Sequence, residues 1–347
     1  MSCSVLKPRY KVPSMAEIAR IEPSGLKCIS TFSGGGGSTL GYRMAGINVV
    51  WASEFVDAAR AVYEVNNPAT FVDHRDIREV AAKDVLQKIG MEVGELDILD
   101  GSPPCCSFSM VGKRDKGWGE VNFYSGNQHQ RTDDLFFEYI RLVRNIQPRS
   151  FVAENVKGMI IGKAKGYFRQ VFKGLESCGY NVKAKVLDAQ WLGVPQHRER
   201  VIFIGIRKDL GIMPQFPEPL PYTYSIRNAL VGVDPYREPE TDMSNIQVGK
   251  ELAKLNYGEQ SEKYFSLIRS HPQKPCPTIT VGATSSTGAL PPDGCRLWSI
   301  AELKRLFSFP DDYKLVGGFR QKGERLARSV PPVMMSHIAN SLKGCLL

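Results

Sequence analysis

The sequence predicts an α/β fold, a doubly wound and mostly parallel sheet covered by helices on both faces, joined to a smaller irregular domain. Three observations carry this. From Lys27 to about Arg207 short apolar runs alternate with stretches of helical apolar spacing. A glycine run follows the first apolar run directly, where a βα turn belongs. Past Asp209, prolines at 214, 217, 219 and 221 break the alternation, and weak periodicity persists to roughly residue 295.

Taken in order, the expected strands are CISTF (28–32), INVVWAS (47–53), LDILD (96–100), SFVAEN (150–155), VKAKVLD (182–188) and VIFIGIR (201–207). Thr132 is placed to cap a helix whose apolar positions Leu135, Phe136, Tyr139, Ile140, Val143 and Ile146 follow a 3.6-residue period. Tyr167, Phe168, Val171, Phe172 and Leu175 repeat the pattern in the next helix. WSIAELKRLFSF (298–309) reads as a helix capped by Ser299, and MMSHIANSLKGCL as a last helix after the Pro331-Pro332 pair. Near the N-terminus, Ser14 and Glu17 suggest a short helix with a capping box.

With 347 residues and 42% hydrophobic content the chain can bury a full core. No apolar run approaches the roughly 18 to 20 residues of a membrane span, and MSCSVLKPRYKVPS lacks an apolar signal core. A soluble intracellular protein, without a membrane partner, is expected. Lysine and arginine outnumber acids by 45 to 36, a formal charge of +9 that favours a polyanionic partner. Eight cysteines are scattered with no CxxC pair, which excludes a structural zinc site of ordinary spacing and suits free thiols in a reducing compartment.

Four constellations carry chemistry. In FSGGGGSTLGYRMAG, glycines between a strand and a helix let backbone amides approach a ligand closely. Glu54, twenty residues beyond Gly34 at the end of the next strand, stands where an acid can hold two ribose hydroxyls, and Asp76 falls at the edge of a third strand. In LDGSPPCCSFSMVGKRDKGWG (99–119) two prolines stiffen the turn that presents Cys105, and Lys113, Arg114 and Lys116 follow it. In FVAENVKGM (151–159) a strand delivers Glu154 and Asn155 to the same edge, where a desolvated carboxyl suits hydrogen bonding or proton delivery to a ring nitrogen, with Asn155 orienting it. In GVPQHRERVIFIGIR, Gln196, Arg198 and Arg200 alternate on entering a strand and are expected on one face, where two guanidiniums bind phosphate, carboxylate or a base carbonyl.

In this order the segments resemble the motif series of the cytosine carbon-5 DNA methyltransferase family of bacterial and phage type, from about Lys27 to the C-terminus. The resemblance implies a Rossmann-like sheet that binds S-adenosylmethionine: Phe32, Ser33, Gly34, Gly36 and Gly37 at the methionine part, Glu54 with Phe55 at the ribose, and Asp76 with Ile77 at the adenine. Pro104, Asn340 and Ser341 match further cofactor-side positions. GSPPCCSFS resembles the nucleophile motif, with Cys106 where glutamine is usual; alignment on the prolines and on Phe108-Ser109 makes Cys105 the nucleophile. Ser107, Ser109, Lys113, Arg114, Asn155 and Gln196 then face DNA, and the basic segment from Ser107 to about Gln130 closes over it.

The implied reaction extrudes a cytosine from duplex DNA, because its carbon 6 is unreachable inside the stack. Cys105 attacks carbon 6, Glu154 holds ring nitrogen 3 and the exocyclic amine, and Arg198 and Arg200 fix the base carbonyl and nearby backbone. Carbon 5 accepts the methyl group, then loses its proton as Cys105 departs; no metal is required. Residues 1–215 with 325–347 are expected to form the catalytic and cofactor-binding domain, and 216–324 the target-recognition domain and hinge. A cytoplasmic monomer is implied, with a cognate restriction endonuclease as a partner that forms no stable complex. The alternatives are a transfer-RNA cytosine methyltransferase on the same catalytic domain and a silent DNA-binding module. A dinucleotide oxidoreductase would leave PPCC, ENV and QHRER unexplained.

Overall fold

The computed structural model describes residues 6–104, 122–124, 128–130, 134–234, 238–284 and 286–347, and the chain divides into two compact units. One comprises Ile21–Leu187, Glu199–Pro217 and Met335–Leu347; the other comprises the segment ending at Arg20, Asp188–Arg198 and Glu218–Met334.

The chain enters through α1 (Met15–Ile18), a single turn in the second unit with the expected Ser14–Glu17 capping box. This leading segment, expected to belong with the catalytic part, is instead strapped to the second unit. The Tyr10 hydroxyl donates to the Arg305 carbonyl at 2.7 Å, and the Tyr10 and Tyr224 rings meet edge-on at 5.0 Å. The Met15 amide donates to the Asp312 carboxylate.

The first unit is built on β1 (Lys27–Thr31), α2 (Gly37–Met44), β2 (Asn48–Ser53), α3 (Asp57–Asn66), β3 (Phe71–Asp73), α4 (Ala82–Ile89) and β4 (Ile98–Gly101). A two-stranded antiparallel pair, β5 (Asn122–Tyr124) and β6 (Gln128–Gln130), comes next in the chain. Then follow α5 (Leu135–Ile146), β7 (Ser150–Val156), α6 (Lys165–Glu176), β8 (Tyr180–Asp188) and β9 (Glu199–Arg207). The main sheet has seven strands in the order β3-β2-β1-β4-β7-β9-β8. β1 pairs in parallel with both β2 and β4, β2 with β3, and β4 with β7, so the carboxyl ends of these strands share one edge. β9 runs antiparallel to β7, which brings its amino-terminal residues to that same edge. This reversal is what places Arg200 beside the end of β7.

Helical periodicity was a sound guide to the core. The predicted stripe of α5, from Leu135 to Ile146, is buried throughout, and Tyr167, Val171 and Leu175 of α6 are buried as expected. Each large apolar side chain so buried contributes roughly 1.5–3 kcal/mol. Thr132 lies outside the described residues; Asp134 occupies the N-cap position of α5. The ring of Tyr139 packs under the end of β4 because Gly101 lacks a side chain: a Cβ there would stand 2.5 Å from the ring.

The second unit continues with α7 (Ile226–Ala229), α8 (Gln247–Leu252), the short parallel strands β10 (Ile268–Arg269) and β11 (Ala289–Leu290), α9 (Ile300–Leu306) and α10 (Phe319–Arg328). Its core gathers Met243, Leu252, Leu255, Leu267, Leu290 and Leu297. Ser299 caps α9 as predicted, and the capping-box acid Glu302 also takes Arg296 at 2.7 Å, a pair buried with both side chains under 5% exposed. The last helix, α11 (Pro332–Leu346), starts on the second proline of the pair, a residue well suited to a first helical turn. Among the described residues no helix is long and apolar enough to cross a membrane, and Cys28, Cys178, Cys276, Cys295 and Cys345 are free thiols.

Candidate active site

The glycine turn sits at the carboxyl end of β1, where the sheet order reverses between β2 and β4 and open α/β sheets hold their ligands. Phe32 takes a left-handed backbone at φ 54°, a costly conformation for a non-glycine residue, and Gly34 and Gly36 follow at φ 55° and 87°. The turn is pinned by the Ser33 hydroxyl donating to the Ser30 carbonyl at 2.8 Å, and α2 starts at Gly37 directly behind it. A Cβ at Gly34 would meet nothing within 4 Å, so the turn opens onto free space where a ligand can rest against bare backbone.

Glu54, one residue past β2, closes this turn. Its carboxylate accepts the Gly34 amide at 2.7 Å and the Val56 amide at 2.8 Å, while Phe55 beside it is half-buried. A carboxylate fixed by backbone amides needs no rearrangement to accept two hydroxyls of a ribose. Asp76 caps the turn Ile77–Glu79 and is held by the Arg78 guanidinium at 2.8 Å; the Ile77 side chain itself belongs to the core.

β4 ends at Gly101 and leads through Ser102, Pro103 and Pro104. Cys105, Ser107, Ser109, Lys113 and Arg114 lie outside the described residues, as does most of the basic segment expected to close over DNA. What fixes the approach to them is visible. Asn155, buried at the end of β7, donates to the Pro103 carbonyl at 3.1 Å and accepts the Val156 amide at 2.8 Å. It bridges two strand ends, so its carboxamide acts on the turn that precedes Cys105.

Glu154, also nearly buried, receives the Arg200 guanidinium at 2.7 Å. The register explains the pair: Arg200 stands opposite Val156, two positions from the partner of Glu154, so the side chains meet diagonally on one face. Burial pushes the Arg200 pKa down and the Glu154 carboxylate opposes that, which keeps the two charges mutually dependent.

Gln196 and Arg198 behave otherwise, and the expected strand face is corrected here. β9 starts at Glu199, so the alternation does not extend back to them, and both belong to the second unit. Gln196, fully buried, donates to the Leu306 carbonyl and accepts the Ile279 amide. Arg198 is 2% exposed; its guanidinium donates to the carbonyls of Ile279, Ala327 and Ser329 and lies 5.2 Å over the Phe307 ring. These hydrogen bonds are backbone fastening within that unit.

On α11, the exposed Asn340 donates to the Ser336 carbonyl and Ser341 to the Gln215 carbonyl. Lys343 on the same helix donates to the Ala45 carbonyl at 3.0 Å, tying it to the end of α2. Asp100, which sequence reasoning passed over, stands 1% exposed in β4 and accepts the Ser30 and Tyr42 hydroxyls at 2.8 and 3.2 Å. Desolvation, with the nearby Glu154 adding to it, pushes its pKa up to about 7. The available signal was an acid inside an otherwise apolar strand.

Residues 26–344 match the family model described as C-5 cytosine-specific DNA methylase. The chain is 30% identical to the type II methyltransferase M.NgoFVII of Neisseria gonorrhoeae, covering 91% of this chain and 86% of that protein. It is 31% identical to the type II methyltransferase M.FnuDI of Fusobacterium nucleatum, covering 90% and 92%. Among solved structures, a protein described as a DNA modification methyltransferase encoded within an E. coli prophage superposes with a TM-score of 0.73 at 22% identity, over 93% of this chain and 99% of that one. DNMT2 of Spodoptera frugiperda superposes at 0.67 and 18%, over 92% and 99%. At those identities the likeness is one of fold.

Proposed function

Because the chain belongs to the C-5 cytosine-specific DNA methylase family, we propose that the carboxyl edge of its main sheet is the methyl-transfer centre, with Cys105 as nucleophile and Glu154 and Arg200 as the groups that hold the target base. The protein is a DNA cytosine-5 methyltransferase with the fold of S-adenosylmethionine-dependent enzymes. The observation that carries the site assignment is the Glu154–Arg200 pair at 2.7 Å, one residue from the Asn155 brace on the turn leading to Cys105.

The residues present fit the cofactor: an open glycine turn for the methionine part, Glu54 preset by backbone amides for the ribose, and Asp76 for the adenine amine. Bound S-adenosylmethionine supplies a methyl group already activated on a sulfonium. The chain's own residues do the rest. Cys105 as thiolate forms a bond to carbon 6 of an extruded cytosine. Glu154, taking up a proton from solvent as the base binds, hydrogen-bonds ring nitrogen 3 and the exocyclic amine and passes that proton to nitrogen 3 as the sulfur–carbon 6 bond forms. Arg200 keeps Glu154 oriented and offers its remaining donors to the base carbonyl. After methylation the carbon 5 proton passes to solvent water, its bonding pair closes the carbon 5–carbon 6 double bond and expels Cys105 as thiolate, and nitrogen 3 returns its proton to Glu154.

Base choice belongs to residues 216–324, and Gln196 with Arg198 serves that part by anchoring its backbone. The protein acts as a cytoplasmic monomer on duplex DNA, with a cognate restriction endonuclease as functional counterpart, a reading supported by its type II relatives. The test is bisulfite sequencing of host DNA after expression of wild type and Cys105→Ala. Methylation confined to one short motif and absent in the variant is expected. Equal methylation in both would overturn the nucleophile, and methylated transfer RNA with unmethylated DNA would overturn the substrate.

A further inference from the structure

Around Asp76 the structure contains a linkage that the methyl-transfer chemistry does not use. The Arg78 guanidinium holds two acids at once. One of its nitrogens lies 3.1 and 2.8 Å from the oxygens of Asp76. Its Nε and its other terminal nitrogen reach Asp134 at 3.0 and 2.7 Å, the bidentate arrangement that a planar guanidinium makes best. Asp134 stands at the N-cap position of α5, yet its side chain makes no capping hydrogen bond to the helix. An aspartate there ordinarily accepts the amide of the first turn; this one turns its carboxylate to Arg78. A second arginine clamps the same two elements: Arg141 of α5 donates to the carbonyls of Ile77 at 2.8 Å and Val80 at 3.1 Å. The turn bearing Asp76 and α5, far apart in sequence, are thereby held together at two points, one at the start of the helix and one at its middle.

We propose that Arg78 is a positioning residue for methyl transfer, holding Asp76 in its cofactor-binding orientation through an ion pair to Asp134 on α5. The inference rests on the reading of Asp76 as the adenine-side acid. Asp134 itself is not assigned to the cofactor, and its bidentate pair with Arg78 is the route by which it acts on cofactor affinity in this proposal. Linkage makes the coupling reciprocal: cofactor binding tightens the hold on the start of α5, the helix that follows the nucleophile-bearing segment in the chain.

The experiment measures S-adenosylmethionine binding by calorimetry on the full-length protein, with thermal unfolding as a check of fold. The proteins are wild type, Asp76→Asn, Asp134→Asn, Asp134→Glu, Arg78→Met and the Arg78→Met/Asp134→Asn double variant. Asp134 is 42% exposed, so its neutral isostere leaves folding intact. Asp134→Asn is expected to raise Kd on the order of fivefold, with Asp134→Glu recovering most of it. The double variant should bind no more weakly than Arg78→Met alone, since one path cannot be cut twice. In steady state Asp134→Asn and Arg78→Met should raise KM for the cofactor and leave kcat near wild type, and Asp134→Glu should restore KM. Wild-type affinity in Asp134→Asn with weakened Asp76→Asn would overturn the linkage while leaving the cofactor site standing. Unchanged affinity in both would overturn the adenine-side reading and the linkage with it. Additive losses in the double variant would also overturn the linkage.

Discussion

Arg198 and Arg200 stand two positions apart in one arginine-rich motif and live in different physical worlds. Arg200 lies on β9 of the main sheet, where it pairs with a side-chain carboxylate, Glu154, at 2.7 Å besides donating to the Glu199 carbonyl at 2.8 Å. Arg198 precedes the strand and spends its guanidinium on three main-chain carbonyls of the second unit. A carboxylate partner ties Arg200 to the residue proposed to hold the target base. Carbonyl partners make it a fastener, since nothing at a main-chain carbonyl titrates. The contrast divides the motif into an anchoring half, Gln196 with Arg198, and a half at Arg200 that we propose is reactive.

That division is open to direct attack. The largest effect on rate is expected at the half proposed to be reactive: Glu154→Gln keeps the shape but removes the proton donor, and kcat of the folded fraction should fall on the order of a thousandfold. Leaving the buried Arg200 without its charge partner also costs about 3 kcal/mol of stability. A kcat of the folded Glu154→Gln fraction within about tenfold of wild type would erase the distinction. At the anchoring half the order inverts. Arg198→Met strips three buried carbonyls of their donor and should cost about 4 kcal/mol of stability in denaturant titration, with kcat of the folded fraction within about tenfold of wild type. A stable Arg198→Met enzyme with no turnover would move Arg198 to the reactive half.

A third test concerns the electrostatics beneath the reactive half. Asp100 titrates near 7 in the folded protein and near 4 in an unfolded chain. Between those values the folded state holds the extra proton, so stability should decline as pH rises from about 4 to about 7 and level off above that. Asp100→Asn removes the titrating group and should flatten this decline, a difference on the order of 4 kcal/mol by pH 8. Parallel stability profiles for wild type and variant would contradict the assignment of the slope to Asp100.

How much of this was legible beforehand follows from the range of the interactions involved. Glu54 and Glu154 could be found because each ends a short apolar run, and strand ends in a parallel sheet converge on one edge whatever the details. The α5 stripe was legible for a similar reason, as 3.6-residue periodicity is a local property. The fate of Arg198 was not: it depends on Ala327 and Ser329, far along the chain, and on β9 starting one residue too late to include it. Alternation predicts a shared face only while the backbone is extended in a ladder. The same holds for Arg78 and Asp134, whose pairing is set by the packing of α5 on the turn after β3. Asp100 shows a further limit, because an acid in an apolar strand acquires its meaning from Ser30 and Tyr42 on neighbouring elements.

The central claim is that chemistry at this sheet edge proceeds through a covalent bond from Cys105 to the target base. A duplex carrying 5-fluorocytosine at the motif found by bisulfite sequencing tests it most directly, because fluorine at carbon 5 cannot leave as a proton and the sulfur–carbon 6 bond persists. With S-adenosylmethionine present, mass spectrometry of the digested complex should locate one base, carrying both fluorine and the transferred methyl, on Cys105, and Cys105→Ser should give none. An adduct on Cys106, or turnover of ordinary duplex with no trapped species, would contradict the account.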